Sequence, residues 1–145
     1  MCNTGIKKAT KADYNTLLAI WESAVLATHD FLSEEDFLYY KSRLPIYFDH
    51  VKLFIYTETD NTIKGFLGVS EDKIEMLFID NQYRGSGIGK ALLGFAIDNL
   101  QIKKVDVNEQ NKQALAFYKN SGFSEIDRSQ YDSEGKHYPI LYMKL

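Results

Sequence analysis

A glycine-rich turn between an apolar run and a helical pattern is the part of the chain best suited to chemistry. Gly85, Gly87 and Gly89 occupy alternate positions after the apolar run that ends at Ile79. Glycine has no Cβ, so the main chain can turn tightly here and approach a ligand closely. A helix that begins at this turn directs unpaired N–H groups and its positive dipole end toward the turn. The sequence therefore predicts a site for a phosphate or pyrophosphate group, to which Arg84 can add a forked cation.

Two common phosphate-binding loops do not fit this turn. A Walker loop needs a glycine at the position of Arg84, and it needs Ser or Thr after its lysine, whereas Lys90 is followed by Ala91. The dinucleotide pattern G-x-G-x-x-G places its third glycine where this chain has Lys90. The spacing that is present is R-x-x-G-x-G, formed by Arg84, Gly87 and Gly89.

A second pattern follows about one strand and one helix later. Residues 105–107 have the composition of a strand, and the helical pattern after them ends in a Gly-Phe pair. This pattern has the form N-x-x-A-x-x-F-Y-x-x-x-G-F, and its named positions are Asn111, Ala114, Phe117, Tyr118, Gly122 and Phe123. Together the two blocks resemble the signatures of the GCN5-related N-acetyltransferases, the GNAT superfamily. A third pattern is similar to the small bacterial YjaB-type branch of that family. It comprises Ile20, Trp21, Ala24, Val25 and residues 28–33, together with residues 108–111 and Tyr118.

The resemblance implies an α+β fold for the whole chain. It predicts the GNAT fold over residues 1–145 as a single domain, with a mixed central sheet of about seven strands flanked by about four helices. In this family two parallel central strands splay apart, and the thioester arm of the cofactor enters the gap. The matching segments are residues 74–79 and 104–107, which are joined through a helix and should therefore run parallel.

The resemblance also implies acetyl-CoA as the acyl donor. The turn should hold the pyrophosphate, and the edge of the strand that ends at Ile79 should bind the pantetheine amides as an added strand would. By the same resemblance, a main-chain N–H at Leu77 or Phe78 polarises the thioester carbonyl. No metal-ligand spacing occurs in the sequence. The predicted cofactor-binding residues are Leu77, Phe78, Ile79, Arg84, Gly85, Ser86, Gly87, Ile88, Gly89, Lys90, Asn111 and Tyr118.

Three residues are candidates for moving protons. Tyr118 matches the family tyrosine that faces the coenzyme sulfur, and a phenol of ordinary pKa near 10 suits a thiolate leaving group. Glu75, within an apolar strand pattern, and His29, between the first two helices, are the candidate bases. A water chain is a third route. Each residue also has a non-catalytic alternative. Tyr118 could be a core tyrosine, Glu75 could face solvent, and His29 could be a structural loop histidine. Asn111 is expected to bind the cofactor, cap the second signature helix, or do both.

These assignments predict an N-acetyltransferase that moves an acetyl group directly to a primary amine in a ternary complex. The acceptor is a small molecule or a protein lysine or N-terminal amine. The alternative is a non-catalytic sensor that binds acetyl-CoA without turnover. The sequence does not distinguish a monomer from a homodimer.

The elements that must position these residues follow from periodicity. Thr10 and Asp13 have the spacing of a helix start, and an apolar stripe follows at three- and four-residue intervals. A second helix should start at Ser33 and end near Arg43, because Pro45 disfavours helix at the residue before it. The other predicted strands are residues 6–9, 53–57, 63–69, 124–128 and 138–144, and the other predicted helices are residues 87–100 and 111–120.

Composition supports a globular chain without a nucleic-acid partner. Of the 145 residues, 45% are apolar and 14% aromatic, which is enough for a core. The net charge of −3 lacks the basic surplus of nucleic-acid-binding proteins. No apolar run reaches membrane-spanning length, and the first ten residues lack a signal-peptide pattern. With Cys2 as the only cysteine, the sequence predicts a cytoplasmic protein without an internal disulfide.

Overall fold

Seven strands and four α-helices follow one another in the order β-α-α-β-β-β-α-β-α-β-β. They lie within residues 5–145, which the structure, a computed structural model, describes. This order is the one predicted from the sequence. The chain forms two compact units, one ending at Ile102 and one comprising Lys103–Leu145. That the chain is a single domain stays a prediction. The prediction based on Cys2, that there is no internal disulfide, concerns a position outside the described residues.

The first unit contains four strands and three helices. Each strand pairs antiparallel with the next in the chain. The strands are β1 (Ile6–Lys8), β2 (Lys52–Thr57), β3 (Ile63–Ser70) and β4 (Lys73–Ile79), and the helices are α1 (Tyr14–Thr28), α2 (Glu34–Asp49) and α3 (Ile88–Asn99). Among residues 5–145, no helix is long and apolar enough to cross a membrane.

The apolar stripe of α1 forms the centre of the core in the first unit. Leu17, Ile20 and Trp21 are buried in one cluster with Phe48 of α2 and Phe66 of β3. The Phe48 and Phe66 rings meet edge to face with their centroids 5.9 Å apart. The predicted helix start is confirmed, since Thr10 and Asp13 form a capping box before α1. The stripe therefore fixes which face of α1 turns away from solvent.

The predicted end of α2 is wrong. The helix does not stop near Arg43 but continues through Pro45 to Asp49. Proline removes one helical hydrogen bond and crowds the preceding turn, at a cost of about 3 kcal/mol. Leu44 and Phe48, only 3% and 1% exposed, are buried on either side of it. Burying two such side chains contributes about 1.5–3 kcal/mol each, which offsets the cost of the proline.

The second unit contains three strands and one helix. Strand β7 (Ile140–Lys144) pairs antiparallel with both β5 (Lys104–Asn108) and β6 (Ser124–Ser129). Helix α4 (Lys112–Asn120) connects β5 to β6. The predicted final antiparallel pair is confirmed, although β7 begins two residues later than expected. The core side chains of this unit include Val105, Val107, Tyr118, Phe123, Leu141 and Met143.

Candidate functional site

The glycine-rich turn leads from β4 into α3. A short 3₁₀-helix, Asn81–Tyr83, precedes it. Gly85 and Gly87 have φ angles of 80° and 87°, in the left-handed region that disfavours every residue with a Cβ. A Cβ placed on either glycine would meet no heavy atom within 4 Å. Glycine is therefore required here by the backbone angle rather than by crowding, and the turn stays open to a ligand.

The start of α3 has the features of an anion site. Gly87 is the N-cap residue and has no side chain to satisfy the first N–H groups of the helix. The first helical hydrogen bond joins the Ala91 N–H to the Gly87 carbonyl at 3.0 Å. Gly89 is the second residue of this helix, and Arg84 lies exposed in the turn before it. Main-chain donors, a helix dipole and a guanidinium group together can bind a pyrophosphate.

A polar contact with α1 anchors the entry to this turn. The Ser23 hydroxyl accepts from the Asn81 N–H at 3.1 Å and donates to the Asp80 carboxylate at 3.3 Å. The same carboxylate oxygen accepts from the Gln82 N–H at 3.0 Å. Sequence analysis missed Ser23, because its partners lie 57 and 58 residues away and no local pattern marks it. The contact of Asp80 with Gln82 is of a more predictable kind, since an aspartate carboxylate often accepts a hydrogen bond from the main-chain N–H two residues ahead.

The predicted cofactor residues of β4 are half-buried along the strand. Leu77 and Phe78 pair with Leu67 and Phe66 of β3. The predicted base Glu75 differs from them, because it lies where the register shifts: Gly68 pairs with Met76 but Val69 pairs with Ile74. Such a bulge re-aims a side chain. The Glu75 carboxylate is exposed and accepts a hydrogen bond from the Ser70 hydroxyl at 2.6 Å.

The predicted base His29 lines a cavity between the end of α1 and the start of α2. The cavity volume is about 270 Å³. Its wall combines four apolar side chains, one imidazole and two carboxylates, from Val25, Leu26, His29, Asp30, Leu32, Glu34 and Phe37. The Phe37 ring stacks on Trp21 with centroids 5.3 Å apart, so this side of the wall is part of the α1–α2 packing. We call this space the α1–α2 cavity.

The His29 imidazole is held in a partly buried position. Its Nδ1 atom lies 2.7 Å from the Thr28 hydroxyl oxygen, and its ring centroid lies 5.0 Å from that of Phe31. Burial lowers the pKa of His29 to about 4, an effect that the nearby Asp30 carboxylate only partly opposes. The ring is therefore neutral at pH 7 and able to accept a proton or a hydrogen bond.

Asn111 and Tyr118 belong to the second unit. The Asn111 side chain accepts from the Ala114 N–H at 3.2 Å, so its predicted capping role is confirmed. Arg128 on β6 forms a two-point ion pair with Glu109, with N–O distances of 2.5 and 3.1 Å, beside the segment that leads to Asn111. This ion pair was not predicted from the sequence, because nothing local links positions 109 and 128.

Tyr118 is 5% exposed and packs between aromatic rings. Its centroid lies 5.1 Å from Phe117 and 5.6 Å from Phe123. Burial raises the pKa of Tyr118 above the ordinary phenol value, since it penalises the phenolate. The sequence analysis assumed that Tyr118 has an ordinary phenol pKa, which would match the basicity of a thiolate. In this structure the pKa of Tyr118 is higher, so that match does not hold. The hydroxyl is protonated at any working pH and can act as a hydrogen-bond donor.

The predicted residues divide between the two units. The turn, Glu75 and His29 lie in the first unit, and Asn111 and Tyr118 lie in the second. Within residues 5–145, no group of three or more His, Cys, Asp or Glu side chains is arranged to hold a metal ion.

Comparison with known proteins identifies the family. A model of the acetyltransferase (GNAT) domain matches residues 30–144. The peptidyl-lysine N-acetyltransferase YjaB of Salmonella typhimurium is 35% identical over 94% of this chain and 94% of its own length. The solution structure of apo-form YjaB from Escherichia coli is 34% identical, covers 96% of this chain and 95% of that one, and has a TM-score of 0.89.

A more distant structure shares the fold alone. The structure of yncA from Salmonella typhimurium with its cofactor acetyl-CoA has a TM-score of 0.64 at 18% identity, over 97% of this chain and 91% of that one. The predicted α+β GNAT fold and the resemblance to the YjaB-type branch are both confirmed by these matches. The chain belongs to the GNAT family of acetyltransferases.

Proposed function

We propose that this protein transfers the acetyl group of acetyl-CoA to the side-chain amine of a lysine in a peptide or protein. Membership of the GNAT family supports the reaction and the acyl donor. The name of the Salmonella relative, a peptidyl-lysine N-acetyltransferase, supports the acceptor class. The observation that carries the acceptor assignment is the chemistry of the α1–α2 cavity.

This cavity suits a lysine side chain because its wall, like lysine itself, combines an apolar part with a charged part. A lysine buries a stem of four methylene groups and keeps a cationic head in polar surroundings. Leu26 is 66% exposed although it is apolar, so a bound stem would cover it. Asp30 and Glu34 supply the negative charge that attracts an ammonium group. Glu34 is also the first residue of α2, where the helix dipole stabilises its carboxylate.

The glycine-rich turn is the proposed site for the cofactor pyrophosphate. The N–H groups at the start of α3, from Ile88 to Lys90, would bind its oxygens, and Arg84 would add a forked cation. Main-chain groups of β4 at Leu77, Phe78 and Ile79 would bind the pantetheine arm. Gly85, Ser86, Gly87 and Gly89 shape the turn, and contact of Asn111 with the cofactor stays part of the proposal.

The lysine ammonium must first lose one proton to solvent. From the neutral amine, the reaction then requires one bond to form, one to break and two protons to move. The neutral amine nitrogen attacks the thioester carbonyl carbon, and a C–N bond forms while the C–S bond breaks. The N–H proton passes to a base, and the thiolate sulfur receives a proton from the Tyr118 hydroxyl. Burial makes Tyr118 a weaker acid than an ordinary phenol, so the phenolate cannot persist, and the proton that it gives to sulfur must be replaced from the protonated base or from solvent. A main-chain N–H of β4 would stabilise the oxyanion.

His29 is the proposed acceptor of the amine proton. Its ring is neutral at pH 7 and lines the same cavity as Asp30 and Glu34. The Glu75 carboxylate is instead exposed at the bulge of β4 and accepts a hydrogen bond from Ser70. Its catalytic role stays a prediction from the sequence, as does a route through a water chain.

A peptide assay tests the proposal. The protein is incubated with acetyl-CoA and a peptide that has one lysine and a blocked N-terminus, and the products are analysed by mass spectrometry and free-thiol release. We expect one added acetyl group on the lysine. The control peptide has arginine in place of lysine and should stay unmodified.

Other outcomes would overturn parts of the proposal. Modification of a free N-terminus or a small amine, with the blocked lysine peptide untouched, would replace the acceptor class. Thermal stabilisation by acetyl-CoA without acetylation of any amine would favour the sensor alternative, since a bound ligand raises the unfolding temperature without turnover.

A further inference from the structure

Thr28, the last residue of α1, makes two short polar contacts through one hydroxyl group. Its oxygen lies 2.8 Å from the Ala24 carbonyl oxygen, to which it donates. The same oxygen lies 2.7 Å from Nδ1 of His29. Both distances are those of good hydrogen bonds.

The number of hydrogen atoms available decides the direction of each bond. A threonine hydroxyl has one hydrogen and two acceptor lone pairs, and a carbonyl oxygen only accepts. The Thr28 hydrogen is used toward Ala24, so the contact with His29 is a hydrogen bond only if Nδ1 carries the hydrogen. In a neutral imidazole the other nitrogen, Nε2, then has no hydrogen and presents a lone pair.

We propose that Thr28 is a positioning residue that holds His29 in the tautomer protonated at Nδ1, with Nε2 as the acceptor for the substrate amine. The inference rests on the proposed lysine acetylation, because the cavity that His29 lines is the proposed amine site. The hydrogen bond made by one imidazole nitrogen sets the role of the other. Thr28 acts through His29 and does not itself contact the substrate.

The neutral state of the ring makes the tautomer matter. A protonated imidazole donates from both nitrogens and has no lone pair for an amine N–H. Because burial keeps the pKa of His29 near 4, the ring is neutral at neutral pH and one nitrogen is always an acceptor. The charged groups lining the same cavity are Asp30 and Glu34, both acidic, and they attract the ammonium form of lysine toward this acceptor.

Nitrogen-15 NMR of the His29 ring tests the tautomer without any activity measurement. Two-bond nitrogen–proton correlation spectra at pH 7 separate protonated from unprotonated ring nitrogens. In the wild-type protein and in Thr28→Ser, which keeps the hydroxyl, we expect the proton on Nδ1. In Thr28→Val, which keeps the shape without the hydroxyl, we expect a shift toward Nε2. A wild-type ring protonated at Nε2 would overturn the inference.

Kinetics test whether the tautomer serves the reaction. We expect kcat/KM for a lysine peptide to fall at least about tenfold in Thr28→Val, within the range that a positioned proton acceptor contributes, and to recover in Thr28→Ser. The KM for acetyl-CoA should stay unchanged in both. An altered tautomer with an unaltered rate would overturn the positioning role. Thr28→Ala provides the same comparison if Thr28→Val does not fold.

The two tests separate this inference from the proposed function. Failure of the wild-type protein to acetylate any lysine peptide, together with an Nδ1-protonated His29 that depends on Thr28, would overturn lysine acetylation and leave the tautomer assignment standing. Acetylation of a lysine peptide that does not depend on the Thr28 hydroxyl would support the proposed function and overturn the role of Thr28 as a positioning residue.

Discussion

The glycine-rich turn and the α1–α2 cavity lie in the same unit but use different chemistry. The turn works through its main chain: its defining features are the φ angles of Gly85 and Gly87 and the unpaired N–H groups of α3. The cavity works through side chains, with apolar walls, a neutral imidazole and two carboxylates. A main-chain site can bind one invariant group, such as a pyrophosphate, whereas a side-chain site can change its substrate with each substitution.

This difference explains why one region identifies the family and the other does not. A backbone that must adopt positive φ restricts its residues to glycine, so the turn leaves a pattern in the sequence. No comparable restriction applies to the residues of the cavity. Variants in the two regions should therefore affect different kinetic constants, and the following predictions test that separation.

The largest effect is expected from a change to Tyr118, which belongs to neither the glycine-rich turn nor the α1–α2 cavity. Tyr118→Phe keeps the ring that packs on Phe117 and Phe123 but removes the proton for the thiolate. We expect kcat to fall about 10²–10⁴-fold with both KM values retained. Steady-state kinetics by free-thiol release provides the measurement. Tyr131→Phe, in an exposed position, is the control and should keep full activity. A loss of acetyl-CoA affinity in Tyr118→Phe with kcat intact would contradict the acid role.

Gly87→Ala should weaken cofactor binding selectively. A residue with a Cβ resists the φ angle of 87°, at a cost of about 1–2 kcal/mol, so the turn would relax away from its binding shape. We expect the Kd for acetyl-CoA, measured by calorimetry, to rise roughly 5–30-fold. Gly94→Ala, the same change inside α3, should leave affinity unchanged and stabilise the helix. Equal effects of the two changes would show that the left-handed angle is unimportant.

The cavity should make stability depend on pH through His29. Its folded pKa of about 4 lies below the ordinary value of about 6.5, so the unfolded chain takes up a proton first as pH falls. This contribution to stability is present above pH 6.5 and is lost as pH falls toward 4. Between pH 7 and pH 5 the loss should be about 2 kcal/mol.

Chemical denaturation at several pH values measures this dependence. The free energy of unfolding of His29→Gln should fall less than that of the wild-type protein over the same interval, because glutamine does not titrate. Parallel curves for the two proteins would show that His29 is not shielded from solvent as the structure indicates.

The smallest effect is expected from the cavity charge. Glu34→Gln removes a carboxylate that lines the cavity, and Glu35→Gln removes its neighbour in the same helical turn, outside the cavity lining. An exposed charge pair contributes about 0.2–1 kcal/mol, so KM for a lysine peptide should rise roughly two- to fivefold in Glu34→Gln only. Both variants should lose the same helix-dipole stabilisation. An equal rise in both would indicate a general effect of net charge.

Much of the fold could be predicted from the sequence because its signals are local. The capping box at Thr10, the stripe of α1 and the hairpin of β2 and β3 each lie within a short window. The end of α2 could not be predicted, since the burial of Leu44 and Phe48 depends on tertiary packing that outweighs Pro45. Periodicity alone therefore located the elements better than their boundaries.

The candidate site shows the same limit. The residues of the turn were predicted because glycine spacing reflects backbone angles. The contact of Ser23 with Asp80 and the ion pair of Glu109 with Arg128 join distant segments and leave no local pattern. Thr28 lies next to His29 in the sequence, but only the positions of both hydrogen-bond partners reveal which imidazole nitrogen it holds.

Two-substrate kinetics would test most directly the central claim that the two regions divide the binding of donor and acceptor. Initial rates would be measured over a grid of acetyl-CoA and lysine-peptide concentrations for the wild-type protein, Gly87→Ala and Glu34→Gln. We predict that Gly87→Ala raises only the KM for acetyl-CoA and that Glu34→Gln raises only the KM for the peptide. A Glu34→Gln enzyme with an altered KM for acetyl-CoA and an unaltered KM for the peptide would contradict the account.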